Sequence, residues 1–177
     1  MLRLFQQYPL PGRLNMKIKK VIIACGIIVL SLLKLSGQTQ AIKFVDAEKY
    51  WKTPKDTVLV INFWATWCKP CIEELPCFEK INSRFPNKKI KVILVSQDYA
   101  SDMDTRVNPF LKKKGIMSEV WLMNEKDPNT WIDRVSPGWS GAIPATLIVL
   151  PNGSYEGLYE TSFTCEELYL LLEPLVK

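Results

Sequence analysis

Cys68 and Cys71 stand in the run Trp64-Ala65-Thr66-Trp67-Cys68-Lys69-Pro70-Cys71, two thiols separated by a lysine and a proline. A pair at that spacing can open and close as a disulfide, or supply half of a zinc site. The surroundings favour the first use. The run follows an apolar, β-branched stretch and opens a stretch of helical periodicity, so both cysteines fall at the start of a helix. Unpaired backbone N–H groups and the helix dipole stabilise a thiolate there. Cys68, at the exposed helix start, is the expected nucleophile, and Cys71, one turn further in, the thiol that resolves a mixed disulfide. Pro70 stiffens the first turn, where its missing N–H costs nothing, and Lys69 adds a positive charge beside the sulfurs. Zinc would need two more soft ligands, and Cys77 with Cys165 makes a poor second pair. The chain has no histidine, which removes Ser-His-Asp and Cys-His catalysis and every His-liganded metal site. The pattern calls for neither a metal nor a cofactor.

The elements that must position this pair are legible as periodicities. Residues 57–63 (TVLVINF) and 90–95 (IKVILV) read as strands buried on both faces of a sheet. Between them, residues 71–85 carry a helical pattern with Leu75, Phe78 and Ile81 on one side. A third strand is expected at 146–150, just after Ile143 and Pro144. Pro151-Asn152-Gly153-Ser154 then turns the chain into a partner strand at 155–159. Thr164 with Glu167 three positions on forms a capping box for a last helix over 166–172. A helical lead-in at 47–51, a helix at 101–114, a short strand at 120–123 and a helix at 127–135 complete the order. The fold class is α/β, a mixed central sheet covered by helices on both faces. The run Lys112-Lys113-Lys114 reads as a solvated helix end beside Gly115.

Charge separates the chain into two parts. Residues 1–41 hold six basic side chains and no acid, which leaves 17 Lys/Arg against all 18 Asp/Glu in 42–177. The net charge of +5 therefore belongs to the leader, and the body gives no compositional reason to bind nucleic acid. Lys17, Lys19 and Lys20 precede an apolar run at 21–33, the pattern of an export signal. As a helix this run spans roughly 20 Å, short of the roughly 30 Å hydrocarbon core, which favours a cleaved signal over an uncleaved anchor. The natural start of such a signal is Met16. The expected organisation is a leader over 1–41 and one domain over 42–177, periplasmic or otherwise extracytoplasmic, with the membrane involved only through an uncleaved leader. An oxidising compartment suits disulfide chemistry.

The string Val60-Ile61-Asn62-Phe63-Trp64-Ala65-Thr66-Trp67-Cys68-Lys69-Pro70-Cys71, followed by Glu73-Glu74-Leu75-Pro76, resembles the exported thioredoxin-like branch typified by TlpA and ResA. The resemblance covers nearly all of 42–177 and implies a thioredoxin-like three-layer α/β/α domain. It implies that Pro144 is a cis residue opposite the cysteine pair, and that Ile143 offers its backbone to a substrate. Trp67, Lys69, Pro70, Ile143 and Pro144 then form the substrate side of the site. Ordinary thioredoxins carry an acid two residues before the first Trp of the motif. Asn62 stands there and cannot transfer a proton. The ResA-like branch instead carries a glutamate three residues after the second cysteine, and Glu74 occupies that place. Its i, i+3 spacing puts it on the helix face of Cys71, where a partly buried acid can exchange a proton with that thiol. Glu73 beside it reads as a solvated helix acid.

Cys77 lies about 240° around the helix from Cys71. Free buried cysteines are common in cores, and that is the expectation for Cys77 and Cys165. The alternative is a structural bridge, because in thioredoxin folds the active-site and C-terminal helices share one face of the sheet. Trp51, Trp121, Trp131 and Trp139 read as packing residues, with Trp139-Ser140-Gly141 near enough to the Pro144 loop to line a groove. The resemblance implies reduction of protein disulfides, apocytochrome c among the candidates, with electrons from a membrane thiol donor. Two other classes stay open. A peroxiredoxin-like peroxidase would need Pro and Thr/Ser where Ile61 and Ala65 stand, and an exported binding domain would use the cysteines only as a staple.

Overall fold

The computed structural model describes residues 39–53 and 55–176. The leader expected over 1–41 lies outside them except for its last three residues. The described chain begins with β1 (Gln40–Ile42), two residues before the expected domain start, and α1 (Phe44–Lys52). Three partly exposed residues give no periodicity, which is why β1 was invisible in the sequence. β2 (Val58–Trp64) follows, then α2 (Lys69–Glu79), the short α3 (Ile81–Arg84) and β3 (Ile90–Ser96). Next come α4 (Asn108–Lys114), β4 (Glu119–Met123), the short α5 (Ile132–Val135), β5 (Ala145–Val149), β6 (Tyr155–Tyr159) and α6 (Cys165–Leu172). The six strands form one sheet in the order β1-β4-β3-β2-β5-β6. β1 to β4, β4 to β3 and β3 to β2 are parallel, and β5 runs antiparallel to both β2 and β6. This is the mixed α/β/α architecture that the periodicities implied.

The expected helices are broken into shorter pieces. The stretch read as one helix over 71–85 begins two residues early, with Cys68 as N-cap, and divides at Lys80 into α2 and α3. Pro76 lies inside α2, where it removes one i→i−4 bond and crowds the preceding turn. The stretch 101–114 is a 3₁₀ turn (Ala100–Asp102), a π turn (Met103–Val107) and only then α4, which carries Pro109 in its first turn. The stretch 127–135 is a 3₁₀ turn (Pro128–Thr130) followed by α5. The expected cap of α6 is complete: Glu167 N–H donates to Thr164 Oγ1, and the Glu167 side chain accepts from the Thr164 amide.

β2 is buried at every position, and its alternate residues build two different cores. Val58, Val60 and Trp64 face α2, α3, α4 and α6, with Leu75, Phe78, Ile81, Leu111, Leu168 and Leu172. Leu59, Ile61 and Phe63 face α1 and α5, with Phe44, Trp51, Trp131, Val135 and Trp139. On the first of these faces, Cys77 and Cys165 are joined by a disulfide between α2 and α6, their Cα atoms 4.9 Å apart. The expectation of two free core cysteines is thereby corrected: Cys77 faces the neighbouring helix, close enough to cross-link. Closing a loop of 88 residues stabilises the fold by roughly 4–5 kcal/mol in the chain-entropy account.

Candidate active site

β2 ends at Trp64, and the chain turns at once into α2. Cys68 N–H donates to the Ala65 carbonyl at 3.1 Å, closing the turn. The turn is held from outside by Asp98, a buried carboxylate just beyond β3. It accepts from the Thr66 amide at 2.9 Å, the Thr66 hydroxyl at 2.5 Å and the Ser96 hydroxyl at 2.8 Å. The reading of the sequence missed Asp98. Its one signal was its place at the C-terminal end of a parallel strand, where α/β folds gather functional loops.

Cys68 and Cys71 form a disulfide, with Cα atoms 5.3 Å apart. The Cys71 amide donates to Cys68 Sγ at 3.3 Å, so an N–H of the first turn of α2 points at the outer sulfur. Cys68 is 6% exposed and Cys71 fully buried. The expected order of access is present, but Cys68 is not an openly exposed residue. Its sulfur lies 3.8 Å from the Ile143 carbonyl oxygen, and that contact covers it. Ile143 and Pro144 reach this position because β5 pairs antiparallel with β2, Ala145 opposite Phe63 and Thr146 opposite Asn62. The Ile143–Pro144 peptide is cis.

Behind the disulfide lies a buried polar cluster. Asn62 alternates onto the α2 face of β2, and its Nδ2 donates to Glu74 Oε1 at 2.8 Å and to Thr146 Oγ1 at 3.1 Å. The Phe163 amide donates to Glu74 Oε2 at 2.8 Å. Glu74 is 2% exposed, and this burial pushes its carboxyl above the ordinary range, while the Phe163 amide and Asn62 pull it partly back. Asn62 Oδ1 is buried without a partner. If Glu74 takes up a proton, a turned Asn62 amide can offer that oxygen to the new hydroxyl, so one pair can hold both states of the acid. Glu73, by contrast, is exposed and pairs with Lys69 at 3.8 Å.

Of the residues expected on the substrate side, Trp67 and Ile143 line one groove with Tyr99, Trp131, Trp139 and Gly141, about 310 Å³ in volume. Trp67 is 62% and Tyr99 80% exposed. Lys69 and Pro70 lie on the exposed first turn of α2, outside that groove, and Pro144 is buried beneath Ile143.

A mixed sheet whose buried central strand runs into a Cys-Lys-Pro-Cys helix start, faced by an Ile-Pro segment, defines a thioredoxin-like domain. Residues 32–154 match the AhpC/TSA family, and the chain belongs to that family. Its sequence is 30% identical over 113 residues to the thioredoxin-like protein YneN of Bacillus subtilis, covering 58% of this chain and 59% of that protein. It is 26% identical over 110 residues to the thiol-disulfide oxidoreductase ResA of Oceanobacillus iheyensis, covering 62% of this chain and 53% of that one. The chain thus spans a little over half the length of these relatives. The fold is similar to the crystal structure of a thiol:disulfide interchange protein, a thioredoxin family protein from Chlorobium tepidum TLS. The TM-score is 0.58 at 17% identity, over 72% of this chain and 83% of that one.

Proposed function

We propose that this chain is an extracytoplasmic thiol–disulfide oxidoreductase that reduces protein disulfides through Cys68 and Cys71. The observation that carries the reading is the pair's seat, with the Cys71 amide aimed at Cys68 Sγ and a buried carboxyl one helical turn beyond Cys71. In the reduced protein the Cys68 thiolate attacks one sulfur of a client disulfide. A mixed disulfide forms and the other client sulfur leaves as a thiolate. Glu74 takes the proton of Cys71, whose thiolate then attacks Cys68 Sγ. The Cys68–Cys71 bond forms, the second client thiolate leaves, and the client has gained two electrons. Trp67, Ile143 and Pro144 hold the client segment at the sulfur, with Lys69 and Pro70 at its edge. A membrane thiol donor restores the pair by the reverse steps, and apocytochrome c belongs to the class of clients served. The likeness to ResA supports the reductive direction. The Cys77–Cys165 bridge and the basic, apolar leader support an oxidising compartment outside the cytoplasm.

The test pairs two assays on the reduced protein. Insulin reduction is expected, peroxide consumption is not, because Ile61 and Ala65 stand where a peroxidase needs Pro and Thr or Ser. Brief iodoacetamide treatment at neutral pH should label Cys68 first. Peroxide turnover without insulin reduction, or first labelling at Cys71, would overturn the reading.

A further inference from the structure

The exchange steps leave Cys77 and Cys165 unused, yet both adjoin the groups that bear on Glu74. Cys77 lies on α2 one turn beyond Glu74, and Cys165 opens α6 two residues after Phe163. α2 and its neighbour are therefore tied at three adjacent points: the disulfide, the 2.8 Å bond from the Phe163 amide to Glu74 Oε2, and the 3.1 Å bond from the Tyr169 hydroxyl to the Cys77 carbonyl. The segment that presents this amide has no regular structure, and Glu160, Thr161, Ser162 and Thr164 are all exposed. The Phe163 ring meets Tyr159 at 5.8 Å and packs against the core between α2 and α6, and the bond two residues on is the one covalent tie that holds this segment to α2.

We propose that the Cys77–Cys165 disulfide is a positioning device for the site: it holds the Phe163 amide on the Glu74 carboxylate and so sets the pH range in which Cys71 exchanges its proton. The inference rests on the role given to Glu74 above. The groups facing that carboxylate are few. Asn62 reaches it from β2, with Thr146 of β5 behind, and the Phe163 amide reaches it from the segment before α6. Cys71 is the titratable neighbour on α2 itself. Tyr159 of β6 touches the Phe163 ring, and Glu167 of α6 is turned back onto Thr164. Among the described residues no ionised side chain contributes to the Glu74 shift, which comes from burial opposed by the Phe163 and Asn62 bonds. Loss of the Phe163 bond therefore moves the acid in one direction only, further up.

The experiment follows thiol–disulfide exchange of the full chain with glutathione disulfide from pH 5 to 9. Four proteins are compared: the parent, Cys77→Ser/Cys165→Ser, Glu74→Gln, and the combination of all three changes. Removing the bridge should move the pH profile up by about one unit, the effect of one lost hydrogen bond to a charged group. In the Glu74→Gln background the same removal should move nothing. Phe163→Pro, which deletes the amide donor and keeps the bridge, should reproduce the upward shift. If the serine pair destabilises the protein too far, Cys77→Val/Cys165→Ala keeps apolar contacts around the missing bond and is read in the same way. An unshifted profile in folded bridge variants overturns the proposal, as does an equal shift in the Glu74→Gln background. Failure of both bridge variants to fold overturns it too, in favour of a purely structural bond. A parent-like profile for Glu74→Gln alone removes instead the reading on which the proposal stands.

Discussion

On the α1 side of β2, Phe63 packs among Trp51, Trp131 and Trp139, with ring centroids 6.4, 6.2 and 4.7 Å away. One residue back along the same strand, Asn62 points the other way and grips a carboxylate. The two faces are equally buried and differently built. On the aromatic face, Trp51 and Trp139 donate their indole N–H groups to Tyr155 Oη and the Ala142 carbonyl. That leaves an aromatic layer whose effect is to fix the sheet. On the other face a buried acid, held by two N–H donors, stands a turn away from a buried sulfur. Burying such a group costs stability unless it is well paired. The comparison teaches that one strand can separate holding the fold from handling the proton, simply by alternation.

The sharpest way to break this division is at the sulfurs. Cys71→Ser should abolish turnover and accumulate mixed disulfides with client proteins through Cys68, while far-UV circular dichroism stays native. Equal trapping by Cys68→Ser would reverse the assigned roles. Next in size is the aromatic face. Trp51→Ala should lower stability by about 3–5 kcal/mol, measured by urea unfolding, while the folded protein keeps its exchange rate at low temperature. A fall in exchange rate in that folded protein would show that the two faces are coupled.

The smallest expected effects come from the two glutamates. Burial raises the Glu74 carboxyl above its ordinary value of 4.5, so the unfolded chain releases that proton first as pH rises. Native stability from this group is complete below about pH 4.5 and is lost as pH climbs towards the folded-state value. Glu74→Gln removes that loss. Relative to the parent it should therefore be more stable at pH 7 than at pH 4, and it should slow exchange and change its pH profile. Glu73→Gln, on the exposed side of the helix, should stay within about 0.5 kcal/mol and keep the parent profile. Like behaviour of both variants from pH 5 to 9 would make Glu74 an ordinary helix acid.

How much of this was readable beforehand depends on whether the signal lay in side-chain types near one another in the chain. The buried strand ahead of Cys68, the hairpin at 151–154 and the Thr164 cap are local patterns, and the structure has them where expected. Glu74 became visible through the family resemblance and its spacing from Cys71, with Asn62 standing where ordinary thioredoxins carry an acid. Asp98 escaped notice because a single acid after a strand is commonplace, and its main partner, Thr66, lies 32 residues away in the chain. Phe163 could not have been found at all, since it contributes its N–H and not its ring. The Cys77–Cys165 pairing depends on how α2 and α6 lie side by side, which no local pattern encodes. The helix over 101–114 was overstated because regular helix begins only at Asn108, with Pro109 in its first turn, a start the apolar rhythm does not mark.

Pro76 carries a consequence for motion. Having no N–H, it leaves the Ile72 carbonyl without its helical bond, between the turn that holds the reactive sulfurs and the turn that is tied to α6. The ladder of α2 is thereby one bond short between these two turns. The first turn, Cys68 to Ile72, can open locally to admit an attacking thiol with one fewer bond to break. The second stays closed, because opening it means separating α2 from α6. Amide hydrogen exchange along α2 should accordingly be faster in the first turn, up to Ile72, than from Glu74 onward.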